Sequence, residues 1–377
     1  MESPRKRRTR RALLKGLAIG TISLPLGIKL FGPKSVAQQP GSPGLITDRR
    51  YKWKMVTTWP PNFPTLADGA HLFADLVRSM SAGRLDIQVF AAGELVPPLE
   101  VFDTVSSGVA EMGHSAAYYW AGKIPAAQIF TTVPFGMNAQ QTNAWLRAGN
   151  GLELWQELYA PYGLLPLPGG NTGVQMGGWF HREINSMKDL KGLKIRIAGL
   201  GGKVLKKAGA SPVLLAGGEI YTGLERGVID ATEWIGPYHD RSMGFQKIAK
   251  YYYAPAWQEP GPVLELLFNK KAFEQLPPDL QAIINSAAST VNEWVLAEFE
   301  MKNSLALQQL IQEAKVELRI FPKPVLETLR TYSREVMEEL AGSDPKAQKI
   351  WDSYRSFQET MVPWAEISEK QLYNLIS

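Results

Sequence analysis

The stretch RIAGLGGK, Arg196 to Lys203, decides how this chain is read. A strand-like run, Leu193-Lys194-Ile195-Arg196-Ile197, leads into glycines and then a helix-like segment from Gly202 to Ala208, the setting of a phosphate-binding loop. A P-loop would need glycine at 197 and Ser or Thr at 204, where the sequence has Ile197 and Val204. The dinucleotide fingerprint fails at the same place, because its third glycine would fall on Val204. The glycines instead suit a helix N-terminus that packs closely and leaves free N–H groups for an anion. Arg196 alternates with Ile195 and Ile197 and so points to the opposite face of the strand. It is either a solvated or paired strand arginine, or a fork for a ligand carboxylate.

Outward from this point, strands and helices alternate. Strand patterns cover 51–57, 85–90, 111–116, 193–197 and 228–234, with extended runs at 164–168, 175–180 and 212–216. Helical patterns cover 65–81, 98–107 and 142–159. This predicts an α/β protein with mostly parallel sheets. From Pro277 to Glu313 the spacing predicts one long helix or a broken pair, followed by a strand over 316–321 and helices over 324–340 and 346–361.

With 377 residues, 45% of them hydrophobic, the chain has material for two domains. It has no cysteine, so disulfides, thiolate metal sites and cysteine nucleophiles are excluded. The net charge of +5 misleads: residues 1–37 hold nine Lys/Arg and one acid, leaving 32 basic and 35 acidic side chains in the rest. The remainder is therefore slightly acidic and is no polyanion binder. Residues 1–37 combine a basic region, a short apolar stretch and Ser35-Val36-Ala37, the plan of an export signal. Within them Thr9-Arg10-Arg11-Ala12-Leu13-Leu14-Lys15 resembles the twin-arginine signal, implying a periplasmic protein. Residues 38–50 read as a flexible mature N-terminus.

Gly113-His114-Ser115-Ala116-Ala117 approaches a serine-hydrolase nucleophile elbow, with Asp230 and His239 downstream, but Ala117 stands where the motif needs glycine. An exported enzyme, either a serine hydrolase built on Ser115 or a metal-dependent one using Glu233 and Glu259, is thus the rival class. Glu233-Trp234 closes the extended stretch from Gly227, and Trp257-Gln258-Glu259-Pro260-Gly261 places another aromatic and acid beside a turn. Two acids near a neutral amide such as Gln175 make oxygen ligands for a hard cation, though each acid alone reads better as a capped turn or a surface acid.

Taken together, TTWPP (57–61), LVPPLEVFDTVSSGVAEMGHSAAYYW (95–120), NTGVQMGGWF (171–180), LKGLKIRIAG (190–199), GLERGVIDATEW (223–234), YYYAPAWQEPG (251–261) and LLFNKKAFEQLPPDLQAII (266–284) resemble the solute-binding subunits of TRAP (tripartite ATP-independent periplasmic) transporters. The resemblance is closest to the branch that binds 2-oxo and 2-hydroxy monocarboxylates such as pyruvate and lactate. It implies a two-lobe periplasmic-binding fold of type II with a hinge and long bracing C-terminal helices. Lobe 1 would take residues 51–170 with a return segment at about 230–265. Lobe 2 would take 171–229 with parts of 266–322, and the helices of 277–377 would brace the lobes or form a homodimer interface. It further implies that Arg196 pairs with the substrate carboxylate. A sodium or calcium ion would be held by Gln175, Glu233, the Trp234 carbonyl and Glu259. Tyr118 or Tyr119 and, more weakly, Asn171 would complete the substrate contacts. The partners implied are a small organic acid and the small and large membrane subunits; no chemistry would be performed.

Overall fold

The computed structural model describes residues 48–312, 314 and 316–376. The chain divides into Met1–Gly44 and Leu45–Ser377. The leader assigned to 1–37, and residues 38–47 of the expected mature N-terminus, lie outside the described residues, so the architecture below is that of the second unit.

Its strands are β1 (Tyr51–Thr57), β2 (Leu85–Phe90), β3 (Met112–Ser115), β4 (Leu164–Asn171), β5 (Gly178–Phe180), β6 (Lys194–Arg196), β7 (Ser211–Val213), β8 (Ala231–Thr232), β9 (Tyr251–Ala254), β10 (Val263–Asn269) and β11 (Glu317–Ile320). They form a five-stranded sheet in the order β2-β1-β3-β10-β4 and a six-stranded sheet in the order β11-β9-β5-β8-β6-β7. Both are mixed rather than mostly parallel. β10 runs antiparallel between β3 and β4, and β5 runs antiparallel between β8 and β9. The segment expected to return to the first lobe, about 230–265, instead supplies β8 and β9 to the six-stranded sheet, and the returning strand is β10. Alternation shows which face of a strand is buried, not which neighbour it pairs with, so that boundary was not readable from pattern.

The pattern over 142–159 resolves into two helices, Ala139–Arg147 and Gly151–Tyr159. Ala148-Gly149-Asn150 separates them, and a Cβ on Gly151, the first residue of the second helix, would lie 2.7 Å from the Trp145 ring. Pro278–Gln312, by contrast, is one unbroken helix of 35 residues, about 50 Å long at 1.5 Å per residue. It touches both sheet systems. Asn292 Oδ1 accepts the Gly170 N–H of β4 at 3.2 Å. Asn303 Oδ1 accepts the N–H of Tyr238, in the helix Pro237–Ser242 that follows β8, at 3.0 Å. The helix Lys323–Gly342 packs beside Gly199–Lys207, where Lys207 lies 2.8 Å from Glu335 and from Glu339, while Ser333 Oγ donates to Pro134 O at 3.1 Å. Tyr354, in the helix Pro345–Ile367, accepts the Met137 N–H at 2.7 Å.

Glu265 on β10 is fully buried; Trp120 Nε1 donates to one oxygen and the Tyr159 hydroxyl to the other, at 3.1 Å. This fixes the turn Ala117–Trp120, which carries Tyr118 and Tyr119. Burial pushes the Glu265 carboxyl from 4.5 up to about 7 against the pull of both donors. A raised native pKa means that the folded chain holds the extra proton, so this stabilising contribution is full below pH 4.5 and is lost as pH rises through about 7. Glu265→Gln should therefore gain stability relative to the parent between pH 5 and 8, by on the order of 3 kcal/mol in urea unfolding. A difference that stays constant across that range would contradict this account of the residue.

Candidate functional site

β6 and β8 pair in parallel with Ile195 opposite Ala231 and Arg196 opposite Thr232. Asp230 locks the register: its N–H donates to Lys194 O at 2.7 Å and its Oδ2 accepts Lys194 N–H at 2.9 Å. The strand ends therefore bring Arg196 against Glu233, both 1% exposed. Arg196 Nη1 donates to Glu233 Oε1 at 2.6 Å and to Glu233 O at 3.0 Å, and Nε donates to Leu215 O at 3.2 Å. The guanidinium also lies 5.0 Å from the Trp234 ring centroid, a favourable cation–π placement.

Both ions are only half satisfied. Arg196 Nη2 and Glu233 Oε2 are buried with no hydrogen-bond partner, and so are Glu259 Oε2 and Gln175 Oε1. Unpaired buried groups of this kind cost 1–3 kcal/mol each, roughly, and more when charged. Burial lifts Glu233 to about 7 despite Arg196 and the Ala198 N–H on its carboxylate. It lifts Glu259 well above the carboxylate range, helped by the charge of Glu233 and opposed by Arg196 and by the Gln175 side chain.

Gln175, Trp234 and Glu259 come from three segments, and backbone hydrogen bonds hold those segments together. Gln175 N–H donates to Glu259 O at 3.2 Å, Met176 N–H to Ile235 O at 2.9 Å, and Gly177 N–H to Tyr253 O at 2.7 Å. Gln258 Nε2 returns to Met176 O at 2.9 Å. All four expected ion-holding residues are thus brought to one place. Tyr118 and Tyr119 join them from the five-stranded side, their rings edge to face at 4.7 Å. Burial raises the Tyr118 phenol well above its usual value, followed by the negative charges of Glu259 and Glu233. Tyr118 packs directly on Gly199, whose φ of +63° favours glycine and where a Cβ would lie 3.2 Å from the Tyr118 Cβ.

Asn171, the weaker of the expected substrate contacts, makes hydrogen bonds with backbone groups. Its amide donates to Gly261 O at 3.0 Å and accepts Gly173 N–H at 2.8 Å, so both ends are engaged in shaping the loop. The hydrolase constellation does not assemble. Ser115 Oγ bonds Thr58 Oγ1 at 2.6 Å, His239 Nε2 bonds Pro64 O at 2.8 Å, and Asp230 serves the Lys194 backbone. Sequence reasoning passed over Asp240, which is buried between Trp179, Tyr252 and the Ile235 N–H. Burial pushes its carboxyl to about 6. The available signal was an acid directly after His239 in PYHD, overshadowed by the histidine.

The family model of DctP, bacterial extracellular solute-binding protein family 7, matches residues 55–344. The chain belongs to this family. A monocarboxylate 2-oxoacid-binding periplasmic protein of Nostoc sp. (strain PCC 7120) is 40% identical over 368 residues, covering 98% of this chain and 99% of the relative. A TRAP periplasmic solute-binding protein from Pseudoalteromonas atlantica T6c, solved with sodium and pyruvate, matches at 44% identity with a TM-score of 0.85, covering 86% of this chain and 99% of that one. One from Colwellia psychrerythraea, solved with calcium and pyruvate, matches with the same identity, TM-score and coverage. The α/β periplasmic-binding fold expected from the sequence is thus the fold observed, and the protein is a TRAP solute-binding receptor.

The ion pair at the centre of the receptor yields a double-mutant test. Arg196→Met should cost about 3–5 kcal/mol, because Glu233 is left buried without its cation. Arg196→Met combined with Glu233→Gln should recover much of that loss in urea unfolding, whereas strictly additive losses would show that the pair is not coupled.

Proposed function

We propose that this receptor captures a small 2-oxo monocarboxylate of the pyruvate type, with 2-hydroxy acids such as lactate as the neighbouring class, together with a sodium or calcium ion. The observation that carries the reading is the cluster of four buried atoms lacking partners, Arg196 Nη2, Glu233 Oε2, Glu259 Oε2 and Gln175 Oε1. One is a guanidinium donor suited to a carboxylate, and three are oxygens suited to a hard cation. Among the described residues no group of three or more His, Cys, Asp or Glu side chains converges, so an ion here would rely on amide and backbone oxygens beside the two glutamates. Gln175, Glu233, the Trp234 carbonyl and Glu259 would hold it, and the ion would supply the positive charge to which a 2-oxo oxygen and its carboxylate bind.

Charge counting supports this. With both glutamates ionised, as ligands of a metal ion must be, they and a ligand carboxylate set three negative charges against the one positive charge of Arg196, in a place where unpaired charge is expensive. A cation removes the excess. The relatives solved with pyruvate hold sodium in one case and calcium in the other, and nothing in an all-oxygen donor set forces the choice. Receptors of this family bind small organic acids and work with membrane subunits. We read the role here as delivery without catalysis, in the periplasm after twin-arginine export. The exposed apolar residues Val362, Trp364, Ile367, Leu372, Leu375 and Ile376 on the C-terminal helices suit a homodimer.

Calorimetric titration of metal-stripped protein with potassium pyruvate should show binding that needs calcium or sodium. Arg196→Ala and Glu259→Ala should each weaken it by about 100-fold, the scale of a lost buried charge contact, while Ser115→Ala should bind like the parent. Turnover of pyruvate or of an ester that disappears in Ser115→Ala would overturn the reading.

A further inference from the structure

Asp240 is 1% exposed, and the donors to its carboxylate are neutral groups. Oδ2 accepts Trp179 Nε1–H at 3.0 Å and the Tyr252 hydroxyl at 2.8 Å. Neither donor is free to drift, since Trp179 and Tyr252 are paired across β5 and β9 with rings stacked 4.1 Å apart. The Asp240 N–H bonds Gly236 O at 2.9 Å, so backbone and side chain are both fixed. The remaining oxygen, Oδ1, accepts the Ile235 N–H at 3.3 Å, and the Gly236 backbone N–H also favours the charged carboxylate.

That N–H and the Trp234 carbonyl are opposite ends of a single peptide unit. The carbonyls on either side are engaged: Glu233 O accepts from Arg196, and Ile235 O accepts from Met176. Hydrogen bonds on the two ends of a peptide polarise each other, and more so when one partner is a carboxylate in a water-free setting. The carboxylate therefore fixes the plane of this peptide and shifts electron density towards its carbonyl oxygen.

We infer that Asp240 is a positioning residue which, acting through the Trp234–Ile235 peptide, holds the Trp234 carbonyl in place and strengthens it as an oxygen ligand for a hard cation. The inference rests on the cation reading given above for Gln175, Glu233 and Glu259. It assigns a role to a carboxylate that touches neither ligand nor ion, in the way that outer partners of metal ligands tune affinity.

Trp-Ile occurs once in the sequence, at 234–235. Labelling with carbonyl-13C tryptophan and 15N isoleucine therefore gives one NMR correlation that reports this peptide alone. In the parent protein, adding calcium chloride with potassium pyruvate should move the Trp234 carbonyl resonance. Asp240→Asn keeps the shape but removes the charge, and one of the two accepting oxygens becomes an NH2 that cannot accept. It should move the Ile235 amide proton upfield and weaken calcium binding at saturating pyruvate by about tenfold or more. Tyr252→Phe removes a donor and keeps the charge, so it should lower the melting temperature but leave the calcium Kd within about threefold.

Asp240→Asn binding calcium like the parent, or equal weakening in both variants, would overturn the inference while leaving the cation reading intact. If Asp240→Asn does not fold, the labelled parent decides, because a Trp234 carbonyl unmoved by calcium contradicts the proposal. Pyruvate binding with no cation dependence in the parent would bring down the cation reading and this inference together.

Discussion

The buried contact between Arg196 and Glu233, 2.6 Å from nitrogen to oxygen, is the constraint from which the rest of the site follows. Removing two ions from water costs several kcal/mol each, and their mutual attraction offsets this only when the geometry is good. Here the geometry is set from outside the pair. Asp230 and Lys194 lock the strand register, Leu215 takes a third guanidinium hydrogen bond, and the Ala198 N–H steadies the carboxylate. The pair is held firmly, yet one nitrogen and one oxygen remain unused. A pair built only for stability would be expected to satisfy both.

The same economy appears around Met176. Its N–H and carbonyl, with the neighbouring N–H groups of Gln175 and Gly177, fasten the segments carrying Glu233, Glu259 and Tyr253. Residues more than eighty positions apart in sequence thus become one rigid wall, made largely from backbone. The helix Pro278–Gln312 supports this wall at long range, since Asn292 and Asn303 grip elements attached to different sheets.

Much of this was legible in the sequence, for physical reasons. The alternation Ile195-Arg196-Ile197 marked an arginine turned away from two core residues, and the structure puts those isoleucines in the core and Arg196 on the ion pair. Helical spacing over 277–313 left one long helix or a broken pair, and the structure has one helix, Pro278–Gln312. What stayed hidden was pairing. Nothing in the tyrosines of 251–253 says that they join β5 and β11 rather than the other sheet. The helix break at Ala148-Gly149-Asn150 is accompanied by a close approach of Gly151 to the Trp145 ring, which periodicity does not see. The bonds of the Asn171 amide to Gly261 and Gly173 belong to a loop whose closure is a tertiary matter. Asp240 was invisible because its importance comes from the peptide it touches, not from a motif.

The most direct test of the central claim is a crystal structure of the mature protein grown with pyruvate and manganese as an anomalous scatterer for the cation. The account predicts one strong anomalous peak ringed by the side-chain oxygens of Gln175, Glu233 and Glu259 and the Trp234 carbonyl, within about 2.6 Å of each, with the pyruvate carboxylate on Arg196. Pyruvate bound at Arg196 with no ion beside it, or an ion held elsewhere on the chain, would contradict it.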